Sequence, residues 1–119
     1  VVERATKETD DLRLRDMVAR LQETRVRFVS ANTRLTEGDD VLLVTTSGGN
    51  VTITLPPARL VAGHKCQIKK MSAANTLTLD ADGSDTIDGS GTFAWTTQYQ
   101  SMTIVACTVA ANTFGWVII

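Results

Sequence analysis

The hydrophobic positions repeat with different periods in two parts of the chain. From Asp10 to about Asn32 there is no Gly or Pro, and apolar residues recur every seven residues, which predicts an α-helix with a narrow apolar stripe. From Asp40 onward the period falls to two, in Thr-, Val- and Ile-rich runs separated by Gly, Asn and Ser. We therefore predict an N-terminal helical anchor at residues 1–38 and a β-domain at residues 39–119.

The apolar stripe of the predicted helix is suited to a coiled coil. A lone helix must bury so narrow a stripe against another surface, and about three heptads make a weak two-stranded coil. Because Phe28 at a core position favours a wider core, we expect a short trimeric coiled coil. The alternative is a monomer whose helix packs on its own β-domain. The expected oligomer interface consists of Leu14, Met17, Leu21, Thr24, Phe28 and Leu35.

A row of arginines with the same heptad period flanks this stripe. One interpretation is a solvated face whose aliphatic stems cover the apolar seam. The other is a docking surface for an acidic protein, and nucleic acid is a poorer partner because Asp16 and Glu23 share the helix and no aromatic residues are interleaved. The docking candidates are Arg13, Arg20, Arg27 and Arg34.

The second part of the chain predicts an all-β fold. Residues 41–46 and 51–55 are two strand-like runs around the turn Ser47-Gly48-Gly49-Asn50, which predicts a hairpin whose second strand has one wet face. Further short strands follow at a spacing of about ten residues, which is typical of an antiparallel β-sandwich or open barrel. A faint echo of residues 50–55 in residues 75–79 is too short to indicate a solenoid.

The last strand is apolar on both faces. Trp116 and Ile118 are expected to point into one layer, and Val117 and Ile119 into another. Such a strand is typically buried between sheets or between subunits.

Composition and charge limit the classes of function. The 12 Lys and Arg against 13 Asp and Glu give a formal net charge of -1, which removes the general electrostatic argument for binding nucleic acid or an anionic membrane. No apolar run approaches the roughly 18 residues that a membrane helix needs, and no signal-peptide core follows the charged start. We expect a soluble, unsecreted protein with no nucleic-acid partner and no membrane insertion.

Side chains that carry chemistry are few. His64 is the only histidine, so there is neither a His pair for a metal nor a Ser-His-acid relay, and we predict a non-enzymatic protein without a cofactor. Cys66 and Cys107 are expected to be reduced, strand-borne core thiols. Residues 80–89 offer the oxygen ligands that Ca²⁺ prefers, but turns equally require Asp and Gly, so we assign no metal. The weak metal candidates are Asp80, Asp82, Asp85 and Asp88.

Three aromatic side chains are candidates for a sugar-stacking platform: Trp95, Tyr99 and Trp116. We expect the core to take both Trp, which leaves the loop Gln98-Tyr99-Gln100 as an exposed, ligand-facing tip. A carbohydrate-binding, receptor-binding module is therefore the alternative function.

Six pieces of the β-domain resemble, in their order and spacing, one known family. They resemble the small β-domain near the ends of many tailed-bacteriophage fibre, appendage and minor structural proteins. The pieces are a strand after an acidic connector (Val41 to Thr46), a Thr-rich strand ending in Leu-Pro (Val51 to Pro57), a Gly before a strand ending in Ile-Lys-Lys (Gly63 to Lys70), an Asn-led strand (Asn75 to Asp80), an Asp-Gly turn (Asp82 to Gly89) and a closing Trp-Val-Ile strand (Gly115 to Ile119).

This resemblance implies a homotrimeric virion structural protein of the tail-fibre, head-fibre or capsid-decoration type. Its N-terminal segment would attach to other virion proteins, such as the capsid, the portal, the neck or the tail, and its β-domain would be exposed. The resemblance further implies assembly in the bacterial host cytoplasm and a role in host attachment, with a host-surface glycan as a further ligand.

Overall fold

Short runs of alternating apolar residues form two β-sheets in residues 23 to 119, the part of the chain that the computed structural model describes. The predicted mainly β fold is confirmed. The strands are β1 (Val26–Val29), β2 (Thr33–Arg34), β3 (Val41–Val44), β4 (Val51–Thr54), β5 (Lys65–Lys70), β6 (Leu77–Asp80), β7 (Thr92–Trp95), β8 (Ser101–Ala110) and β9 (Thr113–Ile118), with a 3-10 helix at Ala58–Leu60.

The first six strands alternate between the two sheets. One sheet has the order β1-β3-β5-β8-β9 and the other has the order β2-β4-β6-β7. Neighbours among β1 to β6 are parallel, whereas β7, β8 and β9 are added antiparallel. Two strands that follow each other in the chain, such as β3 and β4, therefore lie in opposite sheets. Together they form one coil of a chain that winds from sheet to sheet. The fold is a two-layer sandwich, but its sheets are mixed rather than antiparallel as predicted.

The hairpin predicted for residues 41–46 and 51–55 is wrong, because β3 and β4 lie in different sheets. Val41 is paired with Gln67, and Val51 with Leu77. The turn between β3 and β4 carries the chain across the core instead of back along the same sheet. Both strands then bury one apolar face against the opposite layer, and their backbones pair with strands that come later in the chain.

The faint internal echo corresponds to two stacked strands. β4 and β6 are parallel neighbours in a register that places residues 51–53 opposite residues 77–79. At the strand start, Asn50 Oδ1 accepts a hydrogen bond from the backbone N–H of Thr76 at 2.9 Å. One coil earlier, Asn32 Oδ1 accepts from the N–H of Thr52 at 2.8 Å. These asparagines satisfy backbone donors where the chain enters each strand, so they fix the stacking of successive coils.

The core lies between the two sheets. Burying one Val, Leu or Ile side chain contributes about 1.5–3 kcal/mol, so the side chains between the sheets supply most of the favourable free energy of folding. Trp95 and Trp116 are 6% and 0% exposed, which confirms that the core takes both. Trp116 and Ile118 face this core, whereas Val117 points outward, as predicted. Fully buried members include Leu42, Val44, Ile53, Leu55, Ile68, Leu77, Leu79 and Ile104.

The predicted helix is wrong from residue 23 onward. β1 and β2 pair with β3 and β4, so the β-domain includes residues before the predicted boundary at residue 38. Val29 and Thr33 are β-branched, which favours strands. Leu35, placed on the coiled-coil stripe by its spacing, is 1% exposed inside the β-domain. Residues 1–22, which hold the first part of the predicted helix, lie outside the described residues.

A partly buried ion pair holds the first coil to the second. From β1, Arg27 Nη2 donates to Asp39 Oδ2 at 2.7 Å and to the carbonyl oxygen of Arg34 at 3.1 Å. Asp39 is 6% exposed and also accepts from the backbone N–H and the hydroxyl of Thr36, at 2.9 and 3.2 Å. These bonds join β1, β2 and the turn before β3 through one carboxylate.

We expect Asp39→Asn to lower the free energy of unfolding by about 2 kcal/mol, because Arg27 loses its carboxylate in a partly buried position. The matched change Asp82→Asn removes a 4.0 Å pair with Arg34 whose side chains are 42% and 60% exposed. That change should cost less than about 0.5 kcal/mol. Urea-unfolding curves of both variants and the parent measure the difference, and equal losses would contradict the role given to Asp39.

The two cysteines lie on opposite faces of the five-stranded sheet and differ in burial. Cys66 is buried on the inner face of β5, whereas Cys107 on β8 is half-buried and is not the core thiol that was predicted. Burial, with Asp39 and Asp40 nearby, raises the pKa of the Cys66 thiol to about 12.

A disulfide reagent at pH 8 should therefore modify Cys107 and leave Cys66 unmodified in the folded chain, because the thiolate is the reactive form. Timed labelling followed by peptide mass spectrometry measures this, and labelling in concentrated guanidinium chloride is the control in which both react. Early modification of Cys66 under native conditions would refute the assignment.

Candidate functional site

The arginine row does not form one surface in the described residues. Arg27 is directed to Asp39 inside the fold. Arg34 lies on the outer face of the four-stranded sheet, with Nη2 4.0 Å from Asp82 Oδ1. Arg27 and Arg34 therefore do not share a face, and Arg27 holds the fold together rather than offering a docking cation. Arg13 and Arg20 lie outside the described residues.

The described residues of the predicted oligomer interface do not share one surface either. Leu35 belongs to the core of its own β-domain, so it is not part of a seam between chains. Thr24 is exposed, and Phe28 is 62% exposed. The remaining residues of the prediction lie outside the described part of the chain: Leu14, Met17 and Leu21.

Two apolar patches lie on the outer face of the five-stranded sheet. Three of their side chains, Val26, Phe28 and Ile119, are 59%, 62% and 69% exposed. Adjoining apolar side chains exposed to this degree mark contact surfaces. A polar strip on β5 separates the patches and consists of Lys65, Gln67 and Lys69. The first apolar patch is named the β1 patch and is formed by Val26, Phe28, Val41 and Leu43. The second is named the β9 patch and is formed by Val105, Val117 and Ile119.

The outer face of the four-stranded sheet is polar by contrast. Its outward positions are mostly threonine, and the wet face predicted for residues 51–55 lies here. The apolar patches are thus a property of one sheet rather than of the whole surface. The outward side chains of the four-stranded sheet include Arg34, Thr52, Thr54, Thr78, Asp80 and Thr92.

β1 is also the edge of its sheet among the described strands. The N–H of Val41 donates to the carbonyl of Arg25 at 2.9 Å, and Val29 bonds toward the same neighbouring strand. The backbone groups of Val26 and Phe28 therefore point away from β3. An exposed edge beside apolar side chains is a ready template for contact with another chain.

The start of β1 is held firmly against β3. The backbone N–H and Nε of Arg25 donate to Asp40 Oδ2 at 2.9 and 3.2 Å. The backbone hydrogen bond and then the guanidinium of Arg25 hold the pKa of the Asp40 carboxyl below its usual range. The β1 patch is therefore fixed at the point where the preceding segment joins the β-domain.

The predicted tip at Gln98-Tyr99-Gln100 is exposed and braced. Tyr99 is 59% exposed and has a left-handed backbone, with φ of 64°. Its N–H donates to the carbonyl of Lys70 at 2.7 Å, and Lys69 Nζ lies 5.5 Å from its ring centroid. The side chain of Gln98 donates to a backbone carbonyl at 3.3 Å. The tip thus presents one exposed aromatic ring on a loop whose backbone is held by hydrogen bonds.

A platform of three aromatic rings is not formed. Trp95 is buried, and its Nε1 donates to the carbonyl of Gln100 at 3.1 Å. Trp116 is buried between the sheets. Of the three candidates, Tyr99 alone reaches the surface.

The four aspartates of residues 80–89 do not converge. Asp85 Oδ2 accepts from the N–H of Ala58 at 2.9 Å, and Asp88 Oδ1 accepts from a backbone N–H of β9 at 3.1 Å. Asp80 lies outward on β6, and Asp82 is near Arg34. Within residues 23 to 119, no three His, Cys, Asp or Glu side chains group as metal ligands. Two of these carboxylates instead tie the Asp-rich turn to the fold.

Two further polar side chains serve the fold. Lys70 is fully buried, and its Nζ donates to the carbonyls of Ser72 and Ala74. His64 Nε2 lies 2.8 Å from the carbonyl oxygen of Asp39. Both side chains therefore bond to backbone carbonyl groups of neighbouring segments.

Three loops meet in a concave site that the sequence did not indicate. We name it the loop groove; its volume is about 520 Å³. Residues 57 and 59 come from the connection between β4 and β5, residues 82–85 from the turn after β6, and residues 112–114 from the β8–β9 hairpin. The only sequence signal was the aspartate turn, because the other two loops lie about 25 to 30 residues to either side of it.

Two comparisons of the sequence, with protein families and with curated proteins, find no match. Across residues 23 to 119, no helix has the length and hydrophobicity needed to cross a membrane.

Proposed function

We propose that this chain is a non-enzymatic structural protein of a tailed-bacteriophage virion. It forms a homotrimeric tail fibre, head fibre or capsid decoration that is attached through its N-terminal helix and exposes its β-domain. The observation that carries the trimer is the pair of apolar patches at opposite ends of one sheet face.

The two patches suit a closed ring of copies. In a monomer, Phe28 and Ile119 would keep most of their surface in water. When the β1 patch of one copy packs on the β9 patch of the next, both are covered by a single kind of contact. Such a head-to-tail contact closes when the rotation between copies divides a full turn, as it does in a trimer.

The heptads before the β-domain support the same arrangement. Leu21 lies five residues before Val26, so even an extended connection spans at most about 18 Å. Helices bundled through Leu14, Met17 and Leu21 would therefore start each β1 strand close to a common axis. The exposed β1 patches of the copies would be brought together by the same bundle.

The virion assignment rests on the resemblance to phage fibre and appendage domains. The pieces that carry it form β3 to β6, β9 and the Asp-rich turn, which together make the frame of the sandwich. A non-enzymatic role is supported by His64, Asp85 and Asp88, which bond to backbone groups rather than to one another. The free Cys66 and Cys107 suit assembly in a reducing cytoplasm.

A carbohydrate-binding module is the second candidate function. The exposed Tyr99 ring favours it, because sugars present CH faces that pack on aromatic rings. This function would not require more than one copy of the chain.

The oligomeric state tests the assembly proposal. Light scattering over a range of protein concentrations should give three times the 12.9 kDa mass of one chain. Phe28→Asp should shift the mass toward one chain, because it would bury an unpaired carboxylate in the contact. The matched control is Tyr99→Asp, since Tyr99 is equally exposed and its positive φ tolerates Asp.

A monomeric parent chain would remove the trimer and make the carbohydrate-binding module the leading function. A trimer that survives Phe28→Asp would show that the contact lies away from the β1 patch. Loss of the trimer in Tyr99→Asp as well would mean that added charge alone, rather than a defined contact, disrupts the assembly.

The virion assignment is tested on the phage that encodes the chain. Purified particles should contain the protein, and gold-labelled antibody against the β-domain should bind them without prior disruption, because this domain is exposed. The position of the gold separates a head location from a tail location. Absence of the protein from particles by mass spectrometry, while it is abundant in the infected cell, would contradict the assignment.

A further inference from the structure

The loop groove has the size and the fixed geometry of a ligand site. Its volume of about 520 Å³ lies within the range of roughly 300–1,000 Å³ that small-molecule sites occupy. Its walls come from three separate loops, so their convergence is a property of the folded domain.

Backbone hydrogen bonds preform the groove. Asp85 Oδ2 accepts from the N–H of Ala58 at 2.9 Å, which joins the first loop to the second. The carbonyl of Thr86 accepts from the N–H of Trp116 at 2.7 Å, which joins the second loop to β9. Gly115 permits this approach, since a Cβ there would lie 3.1 Å from the Thr86 oxygen. A site built in this way orders little on binding, which favours affinity.

The lining combines hydrogen-bonding groups with an apolar wall. Arg59 supplies donors, Asp82 supplies acceptors, and the amide of Asn112 supplies both. Phe114 is half-buried against the core and, with Pro57, forms an apolar surface beside these groups. A sugar ring presents hydroxyls to such polar groups and CH faces to such a wall.

The charges of the groove argue against other ligands. Among residues 23 to 119, Arg59 is the one cation of the lining beside two carboxylates, Asp82 and Asp85, so the groove has no cluster of basic side chains for a phosphate or a nucleic acid. The two carboxylates do not belong to any group of metal ligands in the described residues, and Asp85 already bonds Ala58. A wholly apolar ligand would leave these polar side chains without partners.

We propose that the loop groove binds a neutral saccharide, with Asp82 and Asn112 as its main hydrogen-bonding residues and Phe114 as its stacking wall. The ligand site is thereby assigned to the groove rather than to the exposed tip at Tyr99. One chain's own loops form the groove, so the proposed site does not require a particular oligomeric state.

Titration of the full, ¹⁵N-labelled chain tests it, with linear trisaccharides of glucose, mannose and N-acetylglucosamine at millimolar concentrations as probes. At least one probe should shift the amide signals of residues 57–59, 82–85 and 112–114 in a saturable way. Signals of residues 98–100 should stay in place.

Two variants remove groups from the groove while preserving its backbone. Asn112→Gly keeps the positive φ of 56° and deletes the amide, and Asp82→Asn keeps the shape and deletes the charge. Each should weaken binding about tenfold or more, as expected for a lost hydrogen bond to a desolvated or charged group. The matched control Tyr99→Gly, at φ of 64°, should leave the affinity unchanged. Spectra of the free variants that match the parent outside the groove establish folding.

Three results would overturn the proposal: no shift with any of the probes, shifts centred on residues 98–100 that Tyr99→Gly abolishes, or unchanged affinity in both groove variants. The assembly proposal is judged separately, by mass. A trimer that binds no trisaccharide rejects the saccharide site and keeps the assembly, whereas a monomer that binds one does the reverse.

Discussion

The parallel stacking of the second and third coils is the constraint on which the rest of the structure depends. In both sheets, a residue of the second coil lies opposite the residue 26 positions later, as Val41 opposite Gln67 and Val51 opposite Leu77. Because the two sheets share this offset, one strand cannot slip without pulling its partner across the core out of register. The shared offset therefore fixes which face of every strand is buried and where the connecting loops end.

Local alternation was enough to predict the strands but not their partners. The period of two gave β3, β4 and the inward Trp116, since side-chain direction depends on the strand itself. The turn after β3 would have the same composition whether the chain returned along the same sheet or crossed to the other one. The hairpin prediction was therefore wrong. The helix prediction failed from residue 23 onward, because the same seven-residue spacing relates Phe28 and Leu35 in this β-structure, where Phe28 is exposed and Leu35 is buried.

The candidate sites show the same difference between local features, which could be predicted, and long-range partners, which could not. The exposure of Tyr99 and the burial of both Trp follow from local polarity and from the small number of aromatic residues, so both could be predicted. The loop groove could not, because Arg59, Asp82 and Asn112 are far apart in the chain and meet only after three connections are in place. The two apolar patches needed the register, which places the outward residues of β1 beside those of β3.

The short edge strand β1 limits how further strands can be added to its sheet. It has four residues, and the two arginines on either side of Val26, Arg25 and Arg27, are paired with Asp40 and Asp39 of their own chain. A long edge would let copies add strand upon strand into an open-ended fibril, whereas an edge of four residues offers few free backbone groups to an identical edge. The outward apolar side chains of β1 are therefore a larger surface for contact than its backbone edge.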